Sequence, residues 1–153
     1  MELTLDQALQ KGIEAHKAGK VQEADRYYTA ILKTNPEHPD ANHNMGVLAV
    51  GVGKAQEALP FFKKALEANS SVAQFWLSYI EVLIKLNRMD EANSLFEKAK
   101  SKGITGDGFE LLGEKLNEVE TTFSRPKSEN LYNQEPPHSN LQCLITLLSL
   151  IHI

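Results

Sequence analysis

Apolar residues return at every third or fourth position through the first hundred residues, in segments broken by glycine, proline or asparagine. This spacing predicts six helices in three pairs, at about 5–18 with 21–34, 39–52 with 55–68, and 73–86 with 89–101. Gly19 and Gly53 mark the break inside the first two pairs. Asn87 marks the third, and asparagine tolerates the left-handed conformation that glycine usually supplies there. Between pairs, Asn35-Pro36-Glu37-His38-Pro39 and Asn69-Ser70-Ser71 read as a helix stop followed by a new start. A seventh helix is predicted over 107–123, with Asp107 as N-cap and Phe109, Leu112, Leu116, Val119 and Phe123 on one stripe.

The pairs are copies of one another. Ala24, Ala58 and Ala92 are spaced by 34, and each precedes an aromatic by four residues, Tyr28, Phe62 and Phe96. The same step links Gly12 to Gly46, Gly19 to Gly53, and Ala65 to Ala99. A fixed period of this length is the mark of a stacked helical repeat, whereas an ordinary bundle would be amphipathic without keeping the step. An alanine lets two helix backbones approach closely, and the aromatic one turn later fills the space where they diverge.

These residues resemble the tetratricopeptide repeat, of a bacterial type similar to the repeat arms of O-GlcNAc-transferase-like proteins. Ala-x-x-x-aromatic is present in all three copies; Trp76, Met45-Gly46 and Pro36 stand at other positions of the pattern. Phe109-x-x-Leu112-Gly113-x-x-Leu116 echoes the opening of a fourth copy, one residue short of register. The resemblance implies an all-α superhelix, a right-handed solenoid of about three helix hairpins with a C-terminal capping helix. It would occupy 1–123, as repeats 5–38, 39–72 and 73–106 and a capping half-repeat 107–123. Ala15 and Ala49 replace larger residues of the pattern, so packing there should be thin. Pro60, inside a predicted helix, removes one backbone donor and should bend the chain near 56–60.

In this family the first helices of the pairs line a concave binding face. Carried over, that face would present Leu9, Gln10, Ile13, Lys17, His43, Asn44, Val47, Leu77, Ser78 and Glu81. The Asn44 amide offers both a donor and an acceptor to a peptide backbone. A terminal-carboxylate clamp would use Leu9, Ile13, Asn44, Gln74 and Ser78, and lacks its cations there. The resemblance thus implies a non-enzymatic module for a peptide or protein partner, with weak self-association a further option. The alternative is the recognition arm of a longer glycosyltransferase, sulfotransferase or methyltransferase, carrying no catalytic residue itself.

Composition narrows this further. Sixteen Lys and Arg against 20 Asp and Glu give a net charge of −4, which argues against a nucleic-acid partner. One cysteine, Cys143, provides neither a disulfide framework nor a four-cysteine zinc site. No cofactor or metal is expected: His38 and His43, near Glu37 and Asp40, read as solvated histidines. Gly103-x-x-Gly106-x-Gly108 follows a helix rather than a strand and reads as a turn. Lys63-Lys64 and Lys98-Lys100-Lys102 read as a solvated outer face. The absence of a basic, apolar leader and of a spanning apolar run predicts a cytoplasmic protein without membrane contact.

Residues 124–140 read as a linker and 141–153 as an apolar tail. Leu148-Ser149-Leu150-Ile151-His152-Ile153 matches one reading frame of a transposase end sequence used in library preparation. The expectation is therefore that the tail is not native and that the natural chain continues beyond about residue 140.

Overall fold

The computed structural model describes residues 2–123, and the linker and tail expectations lie outside them. The helices are α1 Leu5–Lys17, α2 Val21–Thr34, α3 Pro39–Gly51, α4 Ala55–Ala68, α5 Ala73–Lys85, α6 Met89–Ser101 and α7 Asp107–Phe123. Each first helix packs on its own second helix, and each second helix on the next first helix. Among the first helices α1 touches α3 and α3 touches α5, so the three lie side by side.

The ends of these helices are set by local chemistry. Thr4 opens α1 with a reciprocal cap: its hydroxyl accepts from Gln7 N at 3.2 Å, and Thr4 N donates to Gln7 Oε1 at 3.0 Å. His38 caps α3, its Nδ1 accepting from Ala41 N at 3.2 Å, with Pro39 as the first helical residue. The breaks inside the pairs are one motif made three times. Gly19, Gly53 and Asn87 adopt φ of 73°, 82° and 58°. The following residue then donates back to the carbonyl five positions earlier: Lys20 to Ala15 at 2.9 Å, Lys54 to Ala49 at 2.8 Å, Arg88 to Leu83 at 2.9 Å. Gly103 closes α6 in the same way, with φ of 77° and Ile104 donating to Ala99 at 3.1 Å. The glycine-rich segment there is a helix stop, as its position after a helix implies. α7 begins at Asp107 itself, one residue earlier than an N-cap at that position would allow.

The repeating small residues do what their spacing suggests. Ala24, Ala58, Ala92, Ala65 and Ala99 are all fully buried. Gly12 and Gly46 receive the rings of Tyr28 and Phe62, so close that a Cβ would lie 2.6 Å and 2.8 Å from the nearest ring carbon. In the third pair Ile80 takes the glycine's place. Phe96 lies instead over Gly113 of α7, where a Cβ would be 2.8 Å from its ring, and stacks on Phe109 at 4.3 Å. With Leu112 and Leu116 buried in the same core, α7 covers the end of the third pair.

Ala15 is buried in a core cluster with Ala24 and Tyr28, and Ala49 packs against the main core; each also borders a surface hollow, of about 350 Å³ and about 630 Å³. Helix α4 runs unbroken through Pro60, whose ring is exposed. Lys63 and Lys100 are exposed and pair with Glu67 at 3.9 Å and Glu97 at 3.1 Å.

Candidate binding groove

The three first helices enclose a groove of about 740 Å³. Ile13, His16 and Lys17 of α1 form one wall; Gln74, Ser78, Glu81, Val82 and Lys85 of α5 form the other. Between them α3 contributes His43, Asn44, Val47, Val50 and Gly51, and the rings of Tyr28 and Phe62 reach it from the second helices. The lining mixes aliphatic surface with a few amide, hydroxyl and charged groups, the usual make-up of a recognition site.

Seven of the ten sequence-predicted residues meet here: Ile13, Lys17, His43, Asn44, Val47, Ser78 and Glu81. Three do not. Leu9 packs into the clusters around Ala15 and Ala8. Gln10 is exposed and donates to Glu14 at 3.0 Å. Leu77 packs against the start of α7, its Cδ1 3.2 Å from where a Gly108 Cβ would stand, so the capping helix takes the surface assigned to a partner. The residues missed by sequence reasoning carry a simple signal. His16 lies three residues after Ile13 and Lys85 four after Glu81, so each extends a groove-facing row by one turn, as Gln74, a position of the carboxylate clamp, does four before Ser78.

His43 is not the solvated histidine expected. Its ring stacks on Phe75 at 4.9 Å and leans on Phe62 at 5.7 Å, and its Nε2 lies 2.9 Å from Ser78 Oγ. Gln74 Nε2 donates to the same oxygen at 3.2 Å, which leaves the Ser78 proton free to be donated to Nε2. The arrangement therefore suits a neutral His43 protonated on Nδ1. Burial lowers its pKa from the ordinary histidine value, opposed by a hydrogen bond with Asn44 and by the charge of Asp40. The missed signal is the 34-residue step: His43 falls on the row of Leu9 and Leu77, a row that packs inward in every copy.

Two further polar groups serve the fold. Asn42 is buried and its amide donates to the carbonyls of Pro36 and His38, both at 2.9 Å. Trp76, one period later, donates from Nε1 to Ser70 O at 2.9 Å, and Ser70 is one period after Pro36. The same tether is made by an amide in one copy and an indole in the next. Among the described residues no cluster of three His, Cys, Asp or Glu could hold a metal ion, and no helix is long and apolar enough to cross a membrane.

Residues 49–103 match the model of the tetratricopeptide-repeat family. This is a tetratricopeptide-repeat fold. Solved tetratricopeptide domains superpose on most of it: that of Sgt2 from Aspergillus fumigatus has a TM-score of 0.71 at 16% identity, covering 88% of this chain and 93% of that one. The TPR2B domain of yeast Sti1, solved in a complex with pHsp70, has a TM-score of 0.67 at 17% identity, covering 75% and 97%. An O-GlcNAc transferase mutant from Thermobaculum terrenum has a TM-score of 0.58 at 19% identity, covering 65% of this chain but 20% of that one. No curated protein matches the chain in sequence. The architecture shared with these domains is an all-α superhelical repeat.

Proposed function

We propose that this chain is a non-enzymatic, cytoplasmic recognition module that binds an extended peptide segment of a protein partner along the face of α1, α3 and α5. The observation that carries this is the groove itself, where Ile13, Val47 and Val82 supply apolar contact beside the amide of Asn44. Solved relatives of the same fold lend support, one of them seen in complex with pHsp70.

The Ser78–His43 pair, 2.9 Å apart, has the spacing of a nucleophile and its base. Ser78 lies in the middle of α5, where backbone N–H groups are consumed by the helix and none is free to hold an oxyanion. Its oxygen also accepts from Gln74. The pair ties α3 to α5. A fluorophosphonate probe should leave Ser78 unlabelled; labelling there would reinstate an enzyme.

Selection from a random 12-residue peptide display library tests the binding reading. Peptides enriched on the wild-type chain should lose affinity about 5- to 20-fold in Asn44→Ala, the effect of one buried backbone hydrogen bond. They should bind Val47→Glu barely at all, with both variants melting as the wild type does. Equal binding to Val47→Glu would move the site off this face.

A further inference from the structure

Tyr28 is the one second-helix aromatic at its repeat position that carries a hydroxyl, since Phe62 and Phe96 stand one and two periods later. Packing does not call for the oxygen. Tyr28 and Phe62 sit over equivalent glycines, and a phenyl ring fills that space at Phe62. Yet Tyr28 is fully buried, and its Oη has no hydrogen-bond partner. A buried hydroxyl left unpaired is costly and rare in folded proteins. The ring also lines the groove, with His16 standing edge-on to it at 6.3 Å.

The chemistry around this hydroxyl has a sign. On the α1 side the lining residues with polar side chains are Lys17, His16 and Tyr28, whose hydroxyl itself lies buried beneath the surface. The one acidic residue of the lining, Glu81, lies on α5, which does not touch α1, and shares its helix with Lys85. A phenol whose pKa burial pushes up stays protonated and is a donor before it is an acceptor. Three potential donors with no acid among them suit a carboxylate better than a neutral carbonyl.

We infer that Tyr28, Lys17 and His16 form a subsite at the α1 side of the groove that takes the carboxylate of an Asp or Glu side chain from the bound peptide. This rests on the groove reading above and names its specificity. Because Oη is buried, the subsite requires a side-chain movement that exposes it, and His16 stands edge-on to the ring.

The test uses fluorescein-labelled peptide pools, nine residues long with the middle residue fixed as Glu, Gln or Lys and both ends blocked. The Glu pool should bind the wild-type chain at least about fivefold more tightly than the Gln pool. Tyr28→Phe should reduce that preference to under about twofold. Lys17→Met should reduce it partly and weaken its salt dependence. A preference that survives in Tyr28→Phe, or none at all in the wild type, overturns the subsite. A Gln pool with a free C-terminus that binds more tightly than the blocked Glu pool assigns the site to a chain end and overturns the side-chain reading. Should Glu and Gln pools bind equally and both be lost in Val47→Glu, the groove stands and the subsite falls. If no pool binds at millimolar concentration, the groove reading falls and the subsite with it.

Discussion

Gly46 shows how a single position can be held by two opposed effects. In the interior of α3 an alanine would normally gain up to about 1 kcal/mol over glycine. Here its Cβ would stand 2.8–2.9 Å from three ring atoms of Phe62, which is 2% exposed and cannot swing away. Overpacking of that kind costs about 1–3 kcal/mol, so Gly46→Ala should destabilise the chain by about 1 kcal/mol or more in urea unfolding. Phe62→Leu makes room, and the double variant should lose less than the sum of the two single ones. Gly51→Ala is the control, with no atom within 4 Å of its Cβ, and should be neutral to stabilising by about 0.5 kcal/mol. Tyr28→Phe removes a buried hydroxyl without a partner and should raise stability by about 0.5–1 kcal/mol. A fall in the urea midpoint would show that the oxygen already has a structural partner. A rise, together with lost preference for the Glu pool, would show stability exchanged for recognition.

At the scale of elements the sequence was most legible where the 34-residue step and backbone geometry act together. The six paired helices lie within one residue of their expected ends, because glycine, proline and asparagine punctuate them by steric rules that need no tertiary context. Asn87 makes the case: its φ of 58° repeats that of Gly19 and Gly53. Asn87→Ala should cost about 1 kcal/mol in thermal unfolding, whereas Asn87→Gly should be close to neutral, since only the former forces a Cβ-bearing aliphatic residue into the left-handed region. The less legible elements are those where one role is filled by different chemistry. Asn42 and Trp76 make the same tether, but an amide and an indole share no pattern. Leu77 could not be separated from true groove residues by its row, because α7 arrives one residue out of register and covers it. The face of the first helices was therefore readable, and its edges were set by contacts between elements.

Across the whole molecule, repeats two and three are joined by a half-buried histidine, and this makes their union pH-dependent. His43 sits between Phe62 and Phe75 and faces Ser78 of α5, with Asp40 and Asn44 on its own helix. Burial holds its folded pKa below the value near 6.5 of an exposed histidine, despite the opposing influence of Asn44 and Asp40. In the window between the two values the unfolded chain binds the proton more tightly than the folded one does. Its contribution to stability is thus complete above about pH 6.5 and is lost as pH falls through the folded value. Protonation also converts Nε2 from an acceptor of the Ser78 hydroxyl into a donor, so the tie to α5 must be rearranged. Because each repeat is held chiefly by its neighbours, the loss should appear first between α3 and α5 rather than as uniform softening. Urea midpoints should fall between pH 8.0 and pH 5.5, and amides of α5 and α6 should lose hydrogen-exchange protection before those of α1 and α2. His43→Phe keeps the ring stack and leaves Ser78 its bond from Gln74, so it should flatten that component of the pH profile. A His43 resonance titrating above 6.5 in the folded chain would reverse the sign and dissolve the argument.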